Sequence, residues 1–119
     1  MSDCQASYQA RQGDLIWLDF SPQAGHEQAG RRPAVVVSNA DAIRFLHKRA
    51  MVCPITNTDK GIPLQPRLDN RTKTKGVILC DQARILDLQA RRAEYIEQLP
   101  NDILYEVVDI IYGMIELPE

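Results

Sequence analysis

The sequence predicts a mainly β fold with two helices: a small, curled antiparallel sheet, partly closed as a barrel, whose openings the helices cover. Three observations carry that expectation. Several short apolar runs, rich in β-branched residues, are separated by Gly, Pro, Asn and Asp. Only two stretches place apolar residues at helical spacing, a short one before the middle of the chain and a longer one at its end. The chain has 119 residues, enough to bury one core and too few for two. A single domain over residues 11–119 follows, preceded by a flexible polar segment, 1–10.

The run Leu15-Ile16-Trp17-Leu18-Asp19-Phe20 lies between Gly13-Asp14 and Ser21-Pro22 and puts Ile16, Leu18 and Phe20 on one side of an extended chain, so it is the first strand. Residues 23–32, with Gly25 and Gly30 around His26 and Glu27, have no apolar period and form a loop. Ala34-Val35-Val36-Val37 is continuously apolar, the pattern of a strand buried on both faces, with Pro33 tolerated at its start. Asn39 caps a short helix through Ala42, Ile43 and Leu46, and Met51-Val52-Cys53-Pro54-Ile55 returns as a strand. The polar stretch 57–75 is expected to hold an edge strand near Ile62-Pro63-Leu64 and Leu68, kept from the sheet centre by Pro63 and Pro66, together with a basic loop. Strands at 77–80 and 84–88 and an extended segment at 92–99 complete the sheet. The final helix starts after Pro100, repeats apolar residues at Ile103, Val107, Ile110 and Met114, and stops before Pro118.

Nearly half the residues are apolar and a quarter charged, the balance of an ordinary globular protein. The first ten residues have no basic stretch followed by an apolar run, and no segment is apolar for the roughly 18 residues that a membrane span needs. The expected location is the cytoplasm, without membrane association. Cys4, Cys53 and Cys80 are odd in number and lack the paired spacing of a zinc site, so reduced, structural thiols are expected and no metal or cofactor. The formal charge of −2 hides an asymmetry. From Ala93 onward there are seven acids and no Lys or Arg, which leaves the preceding part with a surplus of five positive charges. A basic body beside an acidic segment can present a positive surface to phosphates.

Three clusters sit where an apolar strand meets a loop, the place where a rigid element fixes a side chain that solvent can reach. They are His26-Glu27-Gln28-Ala29-Gly30-Arg31-Arg32-Pro33, Pro54-Ile55-Thr56-Asn57, and Cys80-Asp81-Gln82-Ala83-Arg84. With Gly13-Asp14-Leu15-Ile16-Trp17, they resemble the MazF/PemK family in order and spacing, over roughly residues 11–117. The resemblance implies an SH3-like barrel, a homodimer, metal-independent cleavage of single-stranded RNA at short sequences, and inhibition by an antitoxin protein that usually carries a disordered acidic segment. It makes the expected role that of a bacterial toxin which blocks translation and growth.

Cleaving RNA through its own 2′-hydroxyl, to leave a 2′,3′-cyclic phosphate and a 5′-hydroxyl, needs a base, positive charge at the phosphorus and an acid for the leaving oxygen. The resemblance assigns Glu27 as the base and Arg32 as the phosphate clamp, its planar fork matching phosphate oxygens. Thr56 falls where the family has a threonine near the scissile phosphate, and a strand-end threonine also serves to satisfy backbone. His26 is a candidate acid, with base stacking or loop solvation as its other roles, and Gln28 orders the loop or reads a base edge. Asp81, beside Gln82, matches a residue proposed as the base in a PemK-type branch, where an arginine stands two residues earlier. That position is Leu79 here, which favours the Glu27 and Arg32 version and leaves Asp81 structural or RNA-contacting. Arg31, Lys60, Lys73 and Lys75, with Asn57, are expected along an RNA groove, as are Lys48, Arg49, Arg67 and Arg71. Trp17 is expected in core or dimer packing. The competing reading is a non-catalytic binder on the same barrel, such as a CcdB-like poison of DNA gyrase, which has no need of the Glu27 and Arg32 pair.

Overall fold

The computed structural model describes residues 8–21 and 30–118. Their elements run β1 (Asp14–Asp19), β2 (Arg31–Val36), α1 (Ala40–Leu46), β3 (Arg49–Thr56), β4 (Val77–Ile78), a 3₁₀ turn (Cys80–Gln82), β5 (Arg84–Asp87), β6 (Glu94–Gln98) and α2 (Asn101–Ile115). The strands make one antiparallel sheet in the order β4-β3-β2-β1-β6, with β5 also on β3. The fold is thus the mainly β, two-helix class that the apolar runs predict, as a half-barrel.

The sheet is buried on both faces, which explains why its central strands read as continuous apolar runs. Leu15, Val35, Cys53 and Ile55 point into one cluster, closed over by Leu99 and by Ile103, Leu104 and Val107 of α2. Ile16, Leu18, Phe20, Ala34, Val36 and Val52 form the other, against which Ile43 of α1 packs. Side chains alternate between faces along a strand, so neighbours such as Leu15 and Ile16 serve different cores. Asn39 caps α1 by accepting from the Ala42 amide at 2.9 Å, and His47 closes it in the left-handed region. Asp14, buried at the start of β1, accepts from the Tyr8 hydroxyl (2.8 Å), the Arg11 amide (2.9 Å) and Gln98 Nε2 (3.3 Å), tying the chain before β1 to β6. Burial first, then the bond to Asp14, pushes the Tyr8 hydroxyl well above its ordinary range.

Four expectations need correction. Arg31 and Arg32 belong to β2 rather than to the loop, and Pro33 lies inside that strand, paired with Trp17. The ladder from β2 to β3 begins only at Ala34, so the missing proline N–H breaks no bond of it. Residues 57–75 hold no strand; their one isolated β-bridge joins Arg67 to Val77, because Pro63 and Pro66 cannot donate and Leu64 adopts a φ of 75°. The run 77–80 is a strand only to Ile78, after which the chain turns through Cys80 and restarts along β3 as β5. In α2 the apolar repeat is buried only toward its start, and Met114 is exposed.

Cys53 and Cys80 are free, buried thiols. Their mutual contact, then burial, pushes the Cys53 thiol above its ordinary range, consistent with an inert core role; Cys4 lies outside the described residues. Among the described residues no helix is long and apolar enough to cross a membrane.

One glycine is obligatory. Gly76 has a φ of +122°, and a Cβ there would stand 2.2 Å from the Thr56 carbonyl oxygen and 2.9 Å from its carbon, both backbone atoms. Gly76→Ala is therefore expected to lower stability by more than about 2 kcal/mol, read as a fall in the urea midpoint at unchanged slope.

Candidate active site

The face that carries Leu15, Val35 and Cys53 continues along the same strands to Trp17, Pro33 and Ile55. The core closed by α2 reaches Ile55 but leaves Trp17 and Pro33 outside it, and the uncovered part is a groove of about 530 Å³. Trp17, Pro33, Ile55 and Ile96 give it an apolar lining; Arg31, Arg32, Asn57, Lys73, Thr74 and Lys75 give it a polar one. Five sequence-predicted residues, Arg31, Arg32, Asn57, Lys73 and Lys75, thus come together from three separate stretches of chain. Trp17 is 42% exposed rather than in the core, because its parity in β1 opposes that of Ile16 and Leu18 and no helix covers it.

Arg31, Arg32 and Lys75 are held by partners. Arg31 Nη2 donates to the Arg92 carbonyl at 2.8 Å and pairs with Glu94 at 2.5 Å. Its Nη1 is buried with no hydrogen-bond acceptor among the described residues. Arg32 is half-buried, with Nη1 3.5 Å from the Ile55 carbonyl, a long bond. Lys75 Nζ donates to the Thr72 carbonyl at 3.2 Å.

Lys73 and Lys75 come from a loop closed by the Leu68 amide donating to the Gly76 carbonyl at 2.9 Å. Two elements of the acidic segment anchor it. Glu97 of β6 accepts from the Lys73 amide (3.1 Å), the Thr74 amide (2.8 Å) and the Thr74 hydroxyl (2.8 Å). Burial pushes the Glu97 carboxyl up, but the bonds from Thr74 and Lys73 outweigh it and hold the group below its ordinary range. Arg71 bonds Asp69 within the loop and Asp102 at the start of α2, at 2.8 and 2.9 Å. It is an anchor of the groove wall and does not line the groove.

The other predicted residues fall elsewhere. Thr56 is half-buried between the groove residues Ile55 and Asn57, its hydroxyl accepting from the Thr58 amide at 3.2 Å, which is the backbone-satisfying role. Asp81 is exposed on the 3₁₀ turn and accepts from Gln65 Nε2 at 3.2 Å; neither it nor Gln82 lines the groove. Lys60 is exposed and also outside the groove, as are Lys48, Arg49 and Arg67, the last paired with Asp59. His26, Glu27 and Gln28 lie outside the described residues. The flanks of their segment are fixed beside the groove: the Phe20 amide donates to the Gly30 carbonyl at 2.9 Å and the Gly30 amide to the Ser21 hydroxyl at 3.3 Å. Among the described residues no group of three or more His, Cys, Asp or Glu is placed to hold a metal ion.

The residues that pattern reading missed are Trp17, Thr74, Ile96 and the anchors Glu94, Glu97 and Asp102. Trp17 had a signal, its position opposite to the Ile16, Leu18 and Phe20 side. The anchors had none, since an acid that clamps a distant loop looks in sequence like any solvated acid.

The Asp69 carboxyl is held at about 2, chiefly by hydrogen bonds from the Arg71 guanidinium, and Asp102 is lowered by the same group. Their unfolded values lie near 4, so the stabilisation is complete above that pH and is lost as pH falls through it toward 2. Arg71→Ala is expected to flatten the pH dependence of the urea midpoint between about pH 4 and pH 2, an effect kept small by solvent screening.

Comparison with known proteins identifies the family. The model of the PemK-like, MazF-like toxin of type II toxin–antitoxin systems matches residues 11–114. The endoribonuclease toxin MazF of Escherichia coli K12 is 43% identical over 83 residues, covering 68% of this chain and 71% of that protein. A MazF crystal structure from Deinococcus radiodurans superposes with a TM-score of 0.85 at 40% identity, over 92% of this chain and 99% of that one. A MazE–MazF crystal structure from the same organism superposes with a TM-score of 0.80 at 40% identity, over 93% and 99%. Sequence and fold agree, and the chain belongs to the PemK-like, MazF-like family of type II toxin–antitoxin toxins.

Proposed function

We propose that this chain is the toxin of a bacterial toxin–antitoxin pair and acts as a metal-independent endoribonuclease on single-stranded RNA. The observation that carries the reading is the groove itself, in which Arg31, Arg32, Lys73 and Lys75 line the same hollow as an exposed indole, and Arg31 closely follows in sequence the segment bearing Glu27. Cations neutralise phosphates, and the Trp17 face offers an unstacked base a platform. Glu27 takes the proton of the 2′-hydroxyl, whose oxygen attacks the adjacent phosphorus. Arg32 stabilises the charge that builds on the phosphate oxygens, with Thr56 or Asn57 donating a further bond. The 5′-oxygen leaves with a proton from an acid for which His26 is the candidate, giving a 2′,3′-cyclic phosphate and a 5′-hydroxyl. The engagement of Asp81 by Gln65, away from the groove, supports Glu27 rather than Asp81 as the base.

The test incubates purified protein with a long single-stranded RNA in EDTA and maps the ends. The expected result is cleavage at one short motif with cyclic phosphate ends. Glu27→Gln and Arg32→Ala are each expected to lose at least about 100-fold in rate while remaining folded; unchanged cleavage by either removes that residue from the mechanism. The MazE–MazF relative supports a protein antitoxin as partner. An acidic segment of that partner occupying the groove would suppress cleavage at saturation, and undiminished cleavage would refute it.

The working form is a homodimer. Tyr105, Val108, Tyr112 and Ile115 line up along α2 and are exposed, Tyr105 at 70% and Tyr112 at 59%, beside a cleft of about 420 Å³ that also includes Gln12 and Leu104. An apolar stripe of this kind is the usual core of a subunit interface. Tyr112→Glu is expected to shift the sedimentation coefficient from dimer to monomer; an unchanged dimer would place the interface elsewhere.

A further inference from the structure

We infer that Glu97 is the positioning residue for the cationic wall of the groove, setting the affinity of the protein for RNA without touching it. The inference rests on the reading of the groove as the RNA site. Glu97 is not among the residues that line the groove, yet its two carboxylate oxygens accept all three donors that the adjoining loop offers toward β6. Those donors belong to Lys73 and Thr74, and the next residue is Lys75, so the carboxylate fixes the backbone from which both lysines project. Thr72 relays the order inward: its buried hydroxyl donates to the Thr74 carbonyl at 2.8 Å, and its own carbonyl accepts from Lys75 Nζ at 3.2 Å. Without Glu97, Lys73 and Thr74 lose their acceptor on β6. The loop keeps the Leu68–Gly76 closure and the Arg71 pairs, while the tip between those two holds, the turn at Lys73 and Thr74 that leads into Lys75, is released.

A released tip still carries the same charge. What changes is the entropy lost when RNA orders it, so the loss appears in binding rather than in the chemical step. This separates a positioning role from a purely structural one. The effect of removing Glu97 must vanish when Lys73 and Lys75 are already gone.

The experiment is a double-mutant cycle read by fluorescence anisotropy with a labelled single-stranded RNA bearing 2′-O-methyl sugars, which cannot be cleaved through the 2′-hydroxyl. Glu97→Ala, Lys73→Ala with Lys75→Ala, and the triple variant are compared at several salt concentrations. Glu97→Ala is expected to weaken binding about tenfold at an unchanged slope of log affinity on log salt, with the rate at saturating substrate little changed. In the double-lysine background it should add nothing. An equal loss in both backgrounds makes Glu97 a fold residue only and overturns the inference, as does an unaltered affinity. If the lysine variant itself binds normally, the groove reading fails and the inference with it. Should Glu97→Ala not fold, Thr74→Val removes one of the three donors and must give a smaller loss with the same dependence on the lysines.

Discussion

β2 is bonded to β1 on one edge and to β3 on the other, and Ala34, Val35 and Val36 are buried on both faces. A strand so enclosed can carry polar chemistry only at its end, because a charge in the enclosed part would have neither water nor partner. Its first two residues, Arg31 and Arg32, are where the enclosure stops. The same limit acts on the neighbours. β1 becomes accessible at Trp17 and β3 at its final residue, Thr56, so the open end of three buried strands is one place. The rigidity of the core and the location of the groove are consequences of one packing arrangement.

Charge is divided in a way that the net value conceals. The seven acids after Ala93 look like a solvated terminal segment, yet Glu94 meets Arg31, Glu97 receives the Lys73–Thr74 turn, and Asp102 receives Arg71. Each contact is exposed or half-exposed, so individually they add little stability. Their effect is geometric: they hold cations and the loop that bears them at the edge of an apolar floor. A positive groove in a protein of net charge −2 follows from this local arrangement.

The sheet was legible because strands buried on both faces leave a plain signature, as in Ala34-Val35-Val36-Val37, and α1 and α2 showed their caps and periods. The stretch 57–75 was misread in part because apolar residues at Ile62 and Leu64 suggested a strand, while the backbone at Leu64 turned left-handed and the prolines withheld donors. Of the groove cations, Arg32 was legible through the family resemblance, while Arg31, Lys73 and Lys75 were legible only as members of a larger set of cations expected to meet phosphates. Lys60, Asp81 and Gln82 matched motif or charge equally well and yet lie off the groove, since motif position does not report where a turn sends a side chain. Contacts between residues far apart in sequence, such as Glu97 with Thr74, leave no local pattern to read.

The most direct test of the central claim, that the groove is where RNA binds, uses the sole tryptophan of the chain, Trp17, which lies in it. Its fluorescence is followed during titration with an uncleavable 2′-O-methyl single-stranded RNA. A saturable change in intensity, absent when Lys73 and Lys75 are replaced by alanine, is the predicted result. Tight RNA binding seen by anisotropy with no change at Trp17 would contradict the account and move the binding surface elsewhere on the protein.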